Sequence, residues 1–180
     1  MRALRAVGWS AGAIVVVVLL LILGGYGFSA RDFNRTYALE VAPLRVTVAE
    51  SSVDVGAQIA RVRGCVDCHG EDGSGREFIN DPAVGVLWAS NLTSGEGGIA
   101  GYGEADWDRA VRHGVNRKGK PLIFMPSQEF WSLSDDDLAA LIAYYRSLPS
   151  VDAVRPGLTA PDSPAGVSPA AIPAGRRRAT

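Results

Sequence analysis

Two cysteines and a histidine lie close together in the segment Cys65-Val66-Asp67-Cys68-His69. The 180-residue chain contains no other cysteine. A disulfide within so short a segment removes little entropy from the unfolded chain, so it stabilises a fold only weakly. The two thiols and the imidazole are therefore expected to hold a cofactor or to carry out redox chemistry.

The spacing of these residues favours covalent attachment of a c-type haem. Two thiols separated by two residues can add to the two vinyl groups of one haem, and the histidine that follows can bind its iron. A zinc site needs about four ligands, but beyond these three residues the chain has one more histidine, His113, and no third cysteine. A thioredoxin-like dithiol needs a strand–helix–strand setting, and no strand pair is predicted beside the motif. We predict one haem c, attached through Cys65 and Cys68, with His69 on the iron.

The second axial ligand of the iron is predicted to be Met125. A methionine thioether is the usual partner of histidine in electron-transfer haem proteins, because it favours ferrous iron. Of the two methionines, Met1 precedes a long apolar segment and is excluded. Prolines at 121 and 126 stiffen the segment around Met125, which suits a weakly bound ligand. The alternatives are that Met125 only fills space in the core, or that His113 is the sixth ligand.

Three amphipathic helices are predicted around this chemistry. The first covers about 53–63 and the second about 104–113, both with apolar residues at helical spacing. The third, 134–148, starts with a serine and three acidic residues and stops before Pro149. The connection 70–103 is rich in glycine and shows no apolar periodicity. We expect it to be a long loop that wraps a flat ligand.

The beginning of the chain contains an uncharged, mostly aliphatic segment, 7–28. About 20 apolar residues span the hydrocarbon core of a bilayer, so the segment predicts a transmembrane anchor. The alternative is a signal peptide cleaved near Gly27-Phe28-Ser29. Both interpretations carry the rest of the chain across a membrane. We place 1–6 in the cytoplasm and the haem domain on the periplasmic side of a bacterial cytoplasmic membrane, chiefly because the haem interpretation requires that side.

Composition completes the domain plan. Residues 29–50 are expected to be a linker, 51–150 the haem domain, and 151–180, rich in proline and alanine, a disordered tail. A formal net charge of −1 gives no support to a nucleic-acid partner. A basic cluster precedes Met125 and forms either a solvated face or a docking patch for an acidic redox partner. This cluster comprises Arg109, Arg112, Arg117, Lys118 and Lys120.

From 53 to 151 the sequence resembles a class I cytochrome c domain, of the kind found in bacterial membrane-bound electron carriers and in subunits of periplasmic dehydrogenases. The matching segments are Arg63-Gly64-Cys65 through His69-Gly70, Asn91-Leu92-Thr93, Gly97-Gly98-Ile99, Trp107 to Gly114, Gly119-Lys120-Pro121-Leu122, Met125-Pro126-Ser127, and Leu133 to Pro149. The resemblance implies a small all-α fold, with three or more helices around one haem, in which the first and last helices of the domain cross. The N-terminal transmembrane helix lies outside it.

The resemblance also implies roles for individual residues. Gly56 is expected to let Tyr144 or Tyr145 approach closely where the helices cross. Asn91 and Thr93 are expected to reach a haem propionate.

These observations predict single-electron transfer rather than catalysis. A haem iron bound by His69 on one face and Met125 on the other leaves no position for a substrate. We expect a membrane-tethered carrier, or a cytochrome c subunit of a membrane electron-transfer complex such as a respiratory chain. The alternatives are an open-site haem protein, ligand-binding or peroxidase-like, and a haem-bearing subunit with a structural role.

Overall fold

The computed structural model describes residues 2–83, 85–122, 124–155 and 158–159. The helices in this part of the chain are α1 (Arg2–Asn34), α2 (Val53–Val62), α3 (Cys65–His69), α4 (Glu104–Val111) and α5 (Asp135–Ser147). Single turns of 3-10 helix cover Val48–Glu50 and Ser127–Glu129. The strands are β1 (Glu77–Asp81), β2 (Gly85–Trp88) and β3 (Leu158–Thr159). The fold is mainly helical, as the sequence predicts.

Helix α1 is apolar and stands apart from the packed domain. Its segment Gly12–Asp32, 21 residues long, is long and apolar enough to cross a membrane. The side chains from Ile14 to Leu23 are exposed. An apolar surface of this extent in water is unfavourable, so α1 needs a cover such as lipid or another protein.

Helices α2 and α5 cross at Gly56. A Cβ atom at Gly56 would lie 2.6 Å from the carbonyl carbon of Ala140 and 2.8 Å from Cβ of Tyr144. Interiors are close-packed and cannot yield that much, so this crossing requires glycine. The predicted close approach of Tyr144 is confirmed.

The helix ends follow local chemistry. The hydroxyl of Ser52 accepts a hydrogen bond from the N–H of Val55 at 3.3 Å and caps α2. The hydroxyl of Ser134 does the same for α5, accepting from the N–H of Asp137 at 3.1 Å. These caps satisfy N–H groups that have no partner inside the helix. Helix α4 ends two residues before its predicted end at 113.

The hydrophobic core lies between α2, α4 and α5. Leu138 and Ile142 of α5 are fully buried, and burial of such a side chain stabilises the fold by roughly 1.5–3 kcal/mol. The buried core comprises Val48, Ala60, Trp107, Val111, Phe130, Leu133, Leu138, Ala139, Leu141, Ile142, Tyr144 and Tyr145. Residues of the haem motif and Met125 border this core, so the core also positions the candidate site.

The connection 70–103 is not the unstructured loop that its composition predicts. Strands β1 and β2 form an antiparallel hairpin in which Ile79 faces Leu87, and β3 pairs with β2. The first two strands have five and four residues, too few for an alternating pattern to stand out in the sequence. The expectation of no strand pair near the haem motif is therefore wrong. Leu87 is buried, so the hairpin contributes a wall rather than a surface flap.

The linker was predicted at 29–50, but 29–34 belong to α1. The remaining residues 35–50 lie along the domain, and we call this segment the strap. The N–H of Tyr37 donates a hydrogen bond to the carbonyl of Gly119 at 2.8 Å. Leu44 contacts the core, and Val48 belongs to it with an exposed fraction of 5%. The strap therefore packs as part of the domain that follows it.

The segment assigned to a tail from 151 onward begins inside the packed domain. The carbonyl oxygens of Val151 and Ala153 accept hydrogen bonds from the side-chain amide of Asn91 at 2.8 and 3.3 Å. The guanidinium of Arg155 lies 4.7 Å from the centre of the Trp88 ring. Of the remainder only β3 is described, and 156–157 and 160–180 lie outside the described residues.

Candidate haem site

A cavity of about 460 Å³ lies between α3, the β1–β2 hairpin and the segment 121–126. Volumes of roughly 300–1,000 Å³, with mostly apolar walls and a few convergent polar groups, are typical of cofactor sites. Its apolar walls include Ile59, Leu87, Leu92, Trp107, Val111 and Leu141. The predicted attachment and iron-binding residues, Cys65, Cys68, His69 and Met125, all line this cavity.

The attachment motif forms the short helix α3. Gly64, with φ of 73°, makes the left-handed turn that separates α3 from α2, a conformation that glycine adopts without strain. Cys65 and Cys68 are three residues apart in this helix, so their thiols lie on one face. Both cysteines are free. Helix α3 therefore presents both thiols and the imidazole of His69 to the same cavity.

A backbone carbonyl orients the ring of His69. The Nδ1 atom of His69 lies 2.8 Å from the carbonyl oxygen of Ser90. Since a carbonyl oxygen only accepts hydrogen bonds, Nδ1 carries the proton and Nε2 keeps its lone pair for a metal. Burial lowers the pKa of His69, although the Ser90 hydrogen bond acts against this shift. The ring is thus held neutral, in the form that binds iron.

The two thiols are not poised for dithiol exchange. Burial raises the pKa of Cys65 to about 11, and it also raises the pKa of Cys68. Reactive dithiol sites depend instead on a lowered thiol pKa. Among the described residues no group of three or more His, Cys, Asp or Glu side chains could hold a metal ion. The raised pKa values of the two thiols therefore differ from those of a thioredoxin-like site.

Met125 is partly buried and is held by backbone contacts on both sides of it. Before it, the N–H of Leu122 donates to the carbonyl of Gly114 at 2.7 Å. After it, the N–H of Ser127 donates to the carbonyl of Met125 itself at 2.8 Å. The side chain packs against the core and lines the cavity. The segment thus offers its thioether to the same space as the imidazole of His69.

The rival ligand His113 does not line the cavity. Its side chain is exposed, and its Nε2 atom lies 3.8 Å from a carboxylate oxygen of Asp108. The structure therefore places this histidine on the surface, beside the end of α4.

Asn91 and Thr93 do not line the cavity either. They are 0% and 1% exposed, and their polar groups bind protein atoms. The hydroxyl of Thr93 donates to the side-chain oxygen of Asn91 at 2.8 Å, and the N–H of Val151 donates to that hydroxyl at 3.1 Å. These side chains join 151–153 to the domain, and the propionate contact implied by the resemblance stays a prediction.

The predicted basic cluster is largely neutralised within the domain. Arg109 pairs with Asp106, and Arg112 donates to Asp108 and, at 2.9 Å, to Asp135. Asp106 and Asp108 lie one turn before their arginines on α4, whereas Asp135 comes from the start of α5 and is a long-range partner. Arg117 lies 3.6 Å from Asp106. The arginines therefore stabilise the domain, whereas Lys118 is exposed.

A buried hydroxyl in the cavity wall provides a test of whether a haem fits. The hydroxyl of Tyr145 has no hydrogen-bond partner in the described part of the chain. Burial raises its pKa, so it stays a neutral donor. A buried hydroxyl without a partner costs about 1–3 kcal/mol. A flat, mainly apolar macrocycle with a few acceptor atoms matches these walls, the thiols, the imidazole, the thioether and this hydroxyl.

The family model for cytochrome c matches residues 53–149 of this chain, which is more than half of its length. The chain belongs to the cytochrome c family. The match covers the motif, the cavity and helices α2 to α5, and leaves α1 and the strap outside. Members of this family transfer electrons through a covalently bound haem c.

Several curated proteins are similar to this cytochrome c over most of the chain. The cytochrome c subunit of alcohol dehydrogenase (quinone) from Gluconacetobacter polyoxogenes is 34% identical over 125 residues, 66% of this chain and 26% of that protein. The gluconate 2-dehydrogenase cytochrome c subunit of Pantoea cypripedii is 31% identical, over 71% of this chain and 27% of that protein. The fructose dehydrogenase cytochrome subunit of Gluconobacter japonicus is 31% identical, over 76% and 28%.

The chain spans only about a quarter of the length of these relatives. The likeness therefore concerns one cytochrome c module within larger subunits. The sequence motifs alone do not reveal one residue of the site. Ser90 was not predicted, because it acts through its backbone carbonyl and lies 21 residues from His69.

Proposed function

We propose that this cytochrome c carries one haem, bound by thioethers at Cys65 and Cys68 and ligated by His69 and Met125, and that it passes single electrons between protein partners. The haem iron supplies a one-electron couple when bound. The observation that carries the proposal is that one cavity collects all four side chains. A structure with any one of them outside the cavity would not support this ligation.

Some residues of the chain would hold the haem, and others would adjust the properties of its iron. Helix α3 supplies the covalent attachment, and Ser90 fixes the neutral tautomer of His69 with its lone pair toward the cavity. Such outer hydrogen bonds orient a ligand and raise its basicity. The apolar walls exclude water, which favours the less charged, ferrous state. A methionine thioether at the other axial position acts in the same direction.

The rim of the cavity offers a route for electrons. Phe78 and Phe124 both line the cavity and are about half exposed, at 52% and 46%. Apolar side chains at an exposed edge suit brief contact with a redox partner, because such encounters use small interfaces. The relatives named above are subunits of dehydrogenases, and we propose a dehydrogenase as the electron donor. The acceptor is a second redox protein of the same membrane.

Helix α1 is proposed to be a single-pass anchor in a bacterial cytoplasmic membrane, with the haem domain on the periplasmic side. Its apolar segment of 21 residues matches the thickness of a bilayer core, about 20 residues. The arrangement confines the haem to the membrane surface, where a carrier or a complex subunit meets its partners.

The proposal is tested by expressing the full chain in a host that attaches haem c, and by purifying it from membranes. The mass of the denatured chain should exceed the sequence mass by that of one haem, and the reduced protein should show a c-type spectrum. A haem that is lost on denaturation would contradict thioether attachment. A reduced protein that binds carbon monoxide readily would instead support the open-site alternative.

A further inference from the structure

Both lysines of this chain lie in one tight turn. Lys118 and Lys120 are the only lysines among the 180 residues. They belong to the turn Asn116–Lys120, which we call the lysine turn, between α4 and the Met125 segment. Lys118 is exposed. The turn thus combines a distinctive charge with a defined place beside the haem cavity, and the proposed ligation of the haem does not use it.

The lysine turn is rigid. The N–H of Asn116 donates to the carbonyl of Lys120 at 2.8 Å, and the N–H of Gly119 donates to the carbonyl of Asn116, also at 2.8 Å. The side-chain oxygen of Asn116 accepts from the N–H groups of Lys118 and Lys120 at 2.9 and 3.0 Å. Four hydrogen bonds in five residues hold the backbone, so Lys118 is presented from a fixed platform.

The strap ties this turn to the end of the apolar helix. Besides the hydrogen bond from Tyr37 to Gly119, a Cβ atom at Gly119 would lie 2.8 Å from Cγ2 of Thr36 and 2.7 Å from the carbonyl oxygen of Tyr37. Tyr37 follows the last residue of α1, Asn34, by three residues. Three residues span at most about 11 Å. The lysine turn therefore lies close to the end of α1, whatever the tilt of that helix.

Further contacts hold the rest of the strap against the domain. Farther along the strap, Arg109 donates to the carbonyl of Leu39 at 3.5 Å, and the N–H of Arg45 donates to Asp135 at 3.1 Å. Val48 is buried in the core. A strap held at four points along its length does not act as a flexible tether. The face of the domain that meets the membrane is consequently fixed.

The charges at this face are mostly positive. Arg31 and Arg35 flank Asp32 at the end of α1, and Arg35 lies over the ring of Tyr37 at 5.1 Å. Arg117 in the lysine turn is offset by Asp106. Lys118 is exposed and adds to this positive face. Anionic lipid surfaces attract such juxtamembrane basic groups, and the attraction falls off within a Debye length of about 8 Å at physiological salt.

We propose that the lysine turn is a membrane-contacting surface that binds the anionic phosphate headgroups of the lipids around α1. This inference rests on the proposed anchoring of the chain by α1. It gives Lys118 a lipid as its partner, in place of an acidic protein. It also sets the haem domain in one orientation on the membrane.

Lysine-specific footprinting tests this directly, because Lys118 and Lys120 are the only side-chain amines. The full haem-loaded chain is placed in nanodiscs of phosphatidylcholine, in nanodiscs with phosphatidylglycerol added, and in neutral detergent. An amine-reactive acetylating reagent is added, and the modification of each lysine is followed by mass spectrometry. We expect Lys118 to react about fivefold more slowly in the anionic discs than in detergent, the factor that corresponds to one basic group at an anionic surface.

A matched control is the variant Gln58→Lys, which adds a third lysine on the exposed face of α2. Its new amine should react at the same rate in anionic discs and in detergent. The quantity compared is the acetylation rate in anionic discs divided by the rate in detergent. If this ratio were the same at position 118 and at position 58, the proposal would be overturned, because the domain would then have no fixed orientation on the membrane. Equal protection of Lys118 in both kinds of disc would overturn the headgroup specificity. Protection seen only in native membranes would assign the turn to a protein partner.

Two outcomes of the nanodisc experiment distinguish a failure of this inference from a failure of the proposed function. A chain that fails to enter nanodiscs overturns the anchor, and the lysine-turn proposal with it. A chain that enters them with an intact c-type spectrum, but with Lys118 as reactive as in detergent, overturns the lysine-turn proposal alone.

Discussion

The two sides of the cavity are built in different ways. The attachment side is local: α3 places Cys65, Cys68 and His69 on one short helix. A long-range hydrogen bond from Nδ1 of His69 to the carbonyl of Ser90 completes it. The Met125 side is irregular and depends on contacts from elsewhere, including the backbone of Gly114. The first side is thus encoded by neighbouring residues, and the second by tertiary structure.

Substitutions on the two sides of the cavity should therefore have different effects. Changes on the attachment side should abolish haem binding outright. Changes on the Met125 side should leave the haem attached and alter its ligation. The strap supports the second side, because it contacts the turn that precedes Met125. The predictions below test this division, from the largest expected effect to the smallest.

Replacing both thiols, as in Cys65→Ser/Cys68→Ser, should abolish covalent haem attachment completely, because no other cysteine is present in the chain. Haem staining of the denatured protein measures the effect. The single variants serve as graded comparisons, each retaining one thioether position. Haem that survived denaturation in the double variant would show that attachment does not depend on α3.

The variant Met125→Ala should keep its haem but lose the low-spin state, since only the axial thioether is removed. The reduced protein should then bind carbon monoxide, which absorption spectroscopy detects. His113→Gln is the matched control, and its spectrum should equal that of the unchanged protein. If His113→Gln rather than Met125→Ala opened the iron, the assignment of the distal side would be wrong.

Asn91→Ala should destabilise the domain without changing the haem spectrum. The amide of Asn91 is buried and joins 151–153 to the domain, so its loss leaves carbonyl groups without partners, at roughly 1–3 kcal/mol. Denaturant unfolding measures the loss of stability, and the absorption spectrum of the folded variant shows whether the haem environment has changed. A shifted spectrum at unchanged stability would instead restore the haem-contact role implied by the resemblance.

Gly119→Ala should loosen the Met125 side. Gly119 has φ of 75°, and an alanine there costs about 1–2 kcal/mol. Its Cβ would also press on Tyr37. We expect attached haem with a larger fraction sensitive to carbon monoxide. Lys118→Ala, at the neighbouring position without a positive φ, should leave this fraction unchanged, and equal behaviour of the two variants would refute the coupling of strap and ligand.

Acid should weaken the strap. The N–H of Arg45 and the guanidinium of Arg112 hold the pKa of Asp135 below its ordinary value of 3.8. A carboxylate with a lowered folded-state pKa stabilises the fold above its unfolded pKa, and this contribution is lost as pH falls through the folded pKa. Stability should therefore decline below about pH 3.8, and less steeply in Asp135→Asn. Parallel pH profiles for the two proteins would exclude this contribution.

The sequence predicts the attachment side well because its information is local. The spacing of Cys65, Cys68 and His69 is sufficient to indicate the chemistry, and capping residues mark the starts of α2 and α5. Met125 could be chosen because the only other methionine precedes the apolar helix. Gly56 was identified from the resemblance alone, and its close contact with α5 confirms the crossing.

What the sequence does not predict depends on long-range contacts of the backbone. The carbonyl of Ser90 has no side-chain identity to recognise, and the strap is tied by main-chain groups of Tyr37 and Arg45. The hairpin strands are too short to show a period. The hydrogen bonds of Asn91 to the carbonyls of Val151 and Ala153 were likewise not predicted, because they join residues about 60 positions apart.

The measurement that tests the central claim most directly is the absorption spectrum of the full, membrane-purified chain, oxidised and reduced, with and without carbon monoxide. Ligation by His69 and Met125 predicts a sharp low-spin c-type reduced spectrum, a weak red band of sulfur ligation in the ferric state, and no shift with carbon monoxide. A high-spin spectrum that shifts with carbon monoxide would contradict the account, because it would leave Met125 off the iron and open the site to other ligands.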